Sequence, residues 1–72
     1  MTKELTIKQR AVLEYISEFI MLHGFAPTAK EIADNFHTNL WAAQKHVDRL
    51  YVKGYIRKLP RVPRGLVVIK DA

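Results

Sequence analysis

Four side chains that could read base edges in duplex DNA lie within a short segment: Asn39, Trp41, Gln44 and Lys45. The amides of Asn39 and Gln44 can pair bidentately with adenine in the major groove, and the Lys45 ammonium can bind guanine or a phosphate. Trp41 can pack on a thymine methyl group or on the sugar backbone. These residues predict a base-reading surface, provided that one element presents them side by side.

Two of these residues have other interpretations. Asn39 could cap the helix that follows it, because Asn is a preferred residue at that position. Trp41 could anchor a protein contact, as exposed tryptophans often do, or it could fold back over the preceding turn and complete the core.

Basic residues that could hold phosphates are concentrated in the second half of the chain. Residues 1–44 carry four basic and five acidic side chains, whereas residues 45–72 carry eight basic and two acidic ones. This asymmetry predicts a polyanion-binding surface, although an ordinary solvated basic surface has the same composition. The candidate phosphate ligands are Arg49, Lys53, Arg61 and Arg64, together with the helix start at Thr28.

Other chemistries find little support in the sequence. The three histidines, His23, His37 and His46, lack the spacing of a metal site, and the chain has no cysteine. Ser17 lies on the first predicted helix with no plausible general base beside it, so nucleophilic catalysis has no support. No glycine-rich loop follows a strand and begins a helix, so nucleotide binding has no support either. We therefore expect no catalytic residues, no metal and no cofactor, and a protein that is not an enzyme.

The length and composition predict one folded domain over residues 1–72. The longest apolar run, residues 19–22, is far too short to span a membrane. The absence of cysteine is consistent with a reducing compartment. We expect a cytoplasmic, nucleoid-associated protein of a prokaryote or a mobile element.

Three helices are predicted at about residues 7–23, 29–36 and 40–53. The first two begin with capping boxes, Thr6 with Gln9 and Thr28 with Glu31, and Gly24 suits the end of the first. Helical periodicity predicts that Leu22 widens the apolar face of the first helix. The core face predicted for the third helix comprises Ala43, Val47, Leu50 and Tyr51.

A β-hairpin, or wing, is predicted over about residues 55–69. Two β-prone segments, residues 55–59 and 66–69, flank a basic loop that contains Pro60 and Pro63. If the wing packs on the core, Val67 points outward and could form a dimer contact, or the first helix could cover it. The element order predicts an α+β winged helix-turn-helix with three helices and a two-stranded antiparallel wing.

The chain resembles the N-terminal DNA-binding domain of the LexA family of bacterial SOS repressors. The similarity lies in the order and spacing of short pieces over about residues 5–69, among them Pro27-Thr28, Glu31-Ile32-Ala33, Ala42-Ala43, Lys53-Gly54 and Arg64-Gly65-Leu66. The resemblance implies a winged helix whose third helix enters the major groove.

Three departures limit what the resemblance implies. The turn before the third helix is one residue shorter than in the family. Asn39-Leu40-Trp41 and then Gln44-Lys45 stand where members commonly show Ser-Pro-Asn and acidic residues, so the family's operator preference does not carry over. The family's C-terminal domain, which dimerises and cleaves its own linker, has no counterpart in these 72 residues.

The function predicted from the sequence is sequence-specific binding of double-stranded DNA by a small transcriptional repressor, as a monomer or as a homodimer on DNA. One alternative is an architectural factor in recombination or excision that bends DNA. Another is a winged-helix module that binds a different regulator through Trp41, Val52 or the edge strand at Val67.

Overall fold

The computed structural model describes residues 4–62 and 64–70. Its elements follow the order α1 (Ile7–His23), α2 (Ala29–Asn35), α3 (Leu40–Val52), β1 (Ile56–Lys58) and β2 (Leu66–Val68). The strands pair antiparallel, with Ile56 opposite Val68 and Lys58 opposite Leu66. The predicted winged helix-turn-helix fold is thereby confirmed. Pro63 of the predicted wing loop lies outside the described residues.

Both predicted capping boxes form at the helix starts. The Thr6 hydroxyl accepts a hydrogen bond from the Gln9 amide at 3.1 Å, and the Gln9 side chain accepts one from the Thr6 amide at 3.1 Å. Thr28 and Glu31 repeat this exchange at the start of α2. Gly24 ends α1 with a left-handed φ of 79°, a conformation that glycine adopts without steric cost.

The core lies where the three helices and β1 converge. Ile16, Ile32 and Leu50 contribute one fully buried side chain from each helix, and Ile56 contributes one from β1. On β2, Leu66 and Val68 pack against this core while Val67 faces outward, as the alternation of the strand predicts. The wing is therefore fixed to the helical body by its apolar face.

Two core assignments from the sequence are wrong. Tyr51 is 50% exposed and Leu22 is 80% exposed. Tyr51 lies about 100° around α3 from buried Leu50, at the edge of the apolar stripe, and Leu22 lies about 200° around α1 from Ile20. Helical periodicity alone did not locate the edges of these faces.

The longest described helix, α1, has 17 residues. Over residues 4–62 and 64–70, no helix combines the length and the apolar character that a membrane crossing requires.

Candidate nucleic-acid interface

The N-terminal half of α3 presents three of the four predicted base readers to solvent. Asn39 caps this helix, and its side-chain oxygen accepts a hydrogen bond from the Ala42 amide at 2.8 Å. Trp41 is 68% exposed, which excludes the interpretation that it completes the core. The Lys45 ammonium lies 4.9 Å from the centroid of the Trp41 ring, a cation–π contact one turn along the helix. Gln44 is exposed, and within residues 4–62 and 64–70 its side chain makes no hydrogen bond.

Gln44 lies at an open cleft of about 450 Å³ between the helix-turn-helix and the wing. The start of α2, the exposed side of α3 and the wing each contribute to its walls. The lining residues are Thr28, Ala29, Gln44, Val47, Asp48, Lys58, Arg64, Gly65 and Leu66. The predicted base reader Gln44 therefore lies on the side of α3 that faces the wing across this cleft.

The wing is anchored to α3 on one side of this cleft. Lys58 of β1 forms an ion pair with Asp48 of α3. The Lys58 ammonium also lies 5.4 Å from the centroid of the exposed Tyr51 ring. This side chain therefore joins the wing to α3 at the surface.

The wing is anchored to α2 on the other side. The Arg64 guanidinium donates two hydrogen bonds to the Glu31 carboxylate, at 2.7 and 3.0 Å, and one to the Ala26 carbonyl at 3.0 Å. The bidentate bonds from Arg64, with the bond from the Thr28 amide, lower the pKa of Glu31 from 4.5 to about 2. Glu31 thus remains ionised at neutral pH.

The predicted phosphate ligands occupy different parts of the surface. Thr28 caps α2 at the edge of the cleft, and Arg49 is exposed in the last turn of α3. Arg61 is exposed in the wing loop with a φ of 62°. The Lys53 ammonium donates hydrogen bonds to the Glu4 carbonyl and to the Gln9 side chain, each at 2.8 Å. The structure therefore ties Lys53 to the start of α1, and its contact with a phosphate stays a prediction.

The two residues predicted for a protein interface lie on separate elements. Val52 is 76% exposed at the end of α3, and Val67 is 41% exposed on β2. The exposure of Val67 is at odds with the interpretation that α1 covers it.

Glu31 and Asp48 are partners of the wing that could not be identified from the sequence. The sequence pattern marks Glu31 only as part of a capping box, and it does not single out Asp48. Their partners are 33 and 10 residues away in the sequence, respectively. No local pattern in one sequence could have revealed these pairs.

Metal binding finds no candidate in the part of the chain that the structure describes. Residues 4–62 and 64–70 contain no group of three or more His, Cys, Asp or Glu side chains that could hold an ion.

Comparison with known proteins connects this geometry to a family. The family described as "LexA DNA binding domain" matches residues 2–65. The LexA repressor of Thermotoga neapolitana is 44% identical over 69 residues, which cover 96% of this chain and 35% of the relative. The LexA repressors of Leptospira biflexa and Thermosipho africanus are 40% and 37% identical over 68 residues, which cover 94% of this chain and 34% of each relative. The chain spans about a third of the length of these curated relatives.

Proposed function

Because the chain belongs to the LexA DNA-binding domain family, we propose that it binds double-stranded DNA at specific sequences and acts as a transcriptional repressor. The repressor role is supported by its relatives, which are LexA repressors. A domain of this kind can block transcription by occupying a promoter, which requires sequence preference and no chemistry.

The observation that carries this proposal is the arrangement around the cleft. The exposed start of α3 presents Trp41, Gln44 and Lys45, and the basic wing stands across the cleft from Gln44. A helix of this size fits the major groove, and a neighbouring wing can then reach the flanking backbone or the minor groove. Gln44 reads an adenine edge in this arrangement, while Arg49 and Arg61 hold phosphates.

We propose further that two copies bind one operator. The described residues extend over 32 × 24 × 23 Å, so one copy covers about one turn of duplex. A single module of this size buries a small interface, and tight specific binding gains from a second half-site.

Selection from a pool of random duplexes at about 150 mM salt tests the proposed function, since nonspecific attraction is weak there. We expect one motif to be enriched, with two-fold symmetry if two copies bind. The absence of any enriched motif would contradict sequence-specific binding.

A second candidate function is a protein-binding module, supported by the exposure of Trp41 and Val52. The two functions predict different consequences for DNA. A protein-binding module shows only weak, salt-sensitive and sequence-independent attraction to duplexes, whereas the proposed repressor discriminates among them.

A further inference from the structure

Arg64 of the wing is the most extensively engaged basic side chain at the cleft. Its guanidinium makes three hydrogen bonds, two to Glu31 and one to the Ala26 carbonyl. The guanidinium carbon also lies 4.8 Å from the centroid of the Phe25 ring. The hydrogen bonds use three of the five guanidinium N–H donors, two of them for one carboxylate, and so fix the orientation of the group.

The backbone of Arg64 lies at the point where the wing loop closes. Its φ is 58°, in the left-handed region that residues other than glycine seldom adopt. The next residue, Gly65, accepts a hydrogen bond from the Leu59 amide at 2.8 Å and so closes the wing loop. The bonds to α2 therefore act directly on the conformation of this loop.

Glu31 is held as firmly as its partner. One of its carboxylate oxygens accepts a hydrogen bond from the Thr28 amide at 2.8 Å, and the Glu31 amide donates a hydrogen bond to the Thr28 hydroxyl at 3.1 Å. The start of α2 thus holds the carboxylate through contacts that do not involve Arg64. Because Arg64 binds this carboxylate, the orientation of the wing relative to α2 is fixed by the contact.

We propose that Arg64 is a positioning residue that, through Glu31, holds the wing at a fixed angle to the helix-turn-helix, so that the wing and α3 contact DNA together. This proposal rests on the proposed function and replaces the phosphate contact predicted for Arg64. Arg61, in the same loop, keeps its predicted phosphate contact.

The two roles of Arg64 predict opposite effects of Glu31→Gln. If Arg64 binds a phosphate, this substitution releases the guanidinium and removes a negative charge, so DNA affinity rises. If Arg64 positions the wing, the same substitution weakens specific binding although the protein becomes more positive. Glutamine at this capping position keeps the helix start intact, as Gln9 does for α1.

The test measures binding by fluorescence anisotropy at several salt concentrations. The probes are a labelled duplex that carries the motif enriched by the wild-type protein and a mixed-sequence duplex of equal length. The proteins are wild type, Glu31→Gln, Arg64→Ala and the double variant. Asp34→Asn is the matched control, because it also removes a carboxylate from α2. The Asp34 carboxylate forms an ion pair with Lys30, which is not part of the wing.

We expect each single variant to bind the selected duplex about tenfold more weakly and the double variant to bind it no more weakly than either. The slope of log affinity against log salt changes equally in Glu31→Gln, which keeps the Arg64 cation, and in Arg64→Ala. Asp34→Asn does not weaken binding. A tighter-binding Glu31→Gln, or a salt slope that is shallower by about 0.9 in Arg64→Ala but not in Glu31→Gln, would overturn the proposal.

Amide hydrogen exchange separates this proposal from the proposed function. In the protein without DNA, we expect the Leu59 amide to exchange faster in both single variants, while the Leu50 amide in α3 keeps its wild-type rate. This expectation does not depend on whether the protein binds DNA. Unchanged exchange at Leu59 would overturn the positioning role. A wild-type protein that does not discriminate between the duplexes contradicts the proposed function alone.

Discussion

At the scale of single residues, Gln44 has the geometry of a base reader, exposed beside the cleft. We predict that Gln44→Ala relaxes the sequence preference at one or two base pairs and costs about 1–3 kcal/mol of discrimination there, because the proposed contact is a bidentate pair between this amide and adenine. Selection with the variant protein measures this effect.

The matching control is Asn35→Ala, which removes an exposed amide at the end of α2. Its selected motif should equal that of the wild type. If Gln44→Ala also leaves the motif intact, Gln44 does not read bases.

Trp41 offers a way to separate binding from folding. Because its side chain is 68% exposed, Trp41→Ala should change the free energy of unfolding by no more than about 1 kcal/mol, mostly through the lost contact with Lys45. The same substitution should weaken DNA binding clearly. Urea unfolding and anisotropy titrations measure the two effects.

Leu50→Ala provides the contrast, since Leu50 is fully buried and truncation of a buried leucine costs about 2–5 kcal/mol. A large loss of stability in Trp41→Ala would show that this ring supports the fold.

The lowered pKa of Glu31 determines how the contact between Glu31 and Arg64 contributes to stability as the pH changes. The folded protein lowers the pKa of Glu31 from 4.5 to about 2, so the contact contributes its full stability above about pH 4.5 and loses it as the pH falls toward 2. We predict that Glu31→Gln has a smaller loss of stability than the wild type over this interval. Unfolding measured at a series of pH values tests this, and identical profiles for the two proteins would contradict it.

At the scale of elements, the helix starts could be predicted from the sequence because their signals are local. Thr6 with Gln9 and Thr28 with Glu31 each satisfy the capping pattern within four residues, and both boxes form. The exposure of Tyr51 could not be predicted in this way. Helical periodicity does not show which residues at the edge of the apolar stripe are covered by neighbouring elements.

The candidate site likewise contains features that could be predicted from local sequence patterns and features that could not. The exposure of Trp41, Gln44 and Lys45 follows from the period of α3. The engagement of Arg64 and Lys53 does not follow from any local pattern, because their partners are 33 and 44 residues away. Such contacts are set by the packing of the whole domain.

Gly65 gives a prediction for the wing as an element. An added Cβ would lie 2.7 Å from the Val62 carbonyl oxygen and 2.8 Å from the Leu59 carbonyl oxygen. Both distances are shorter than real Cβ contacts, so the backbone of the loop would have to shift. We predict that Gly65→Ala opens the wing loop, lowers the free energy of unfolding by about 1–3 kcal/mol and weakens DNA binding. Unfolding and exchange of the Leu59 amide measure this, and wild-type values of both would show that the loop tolerates a side chain.

At the scale of the whole molecule, the eight basic residues of positions 45–72 overstate the number of cations that are free to bind DNA. Lys58 and Arg64 are paired with Asp48 and Glu31, whereas no described residue pairs with Arg61. We predict that Arg61→Ala lowers affinity for all duplexes and reduces the salt slope by about 0.9, as loss of one phosphate contact does. Anisotropy titrations at several salt concentrations measure the slope, and an unchanged slope would place Arg61 away from the backbone.

The most direct test of sequence-specific recognition is the ratio of two affinities measured at about 150 mM salt. One duplex carries the motif enriched by selection, and the other carries the same bases in scrambled order. We predict a ratio of at least about 1,000 in favour of the motif, the lower end of the range for specific DNA-binding proteins. Equal affinities for the two duplexes would contradict a sequence-specific repressor and leave only the attraction of a basic surface to DNA.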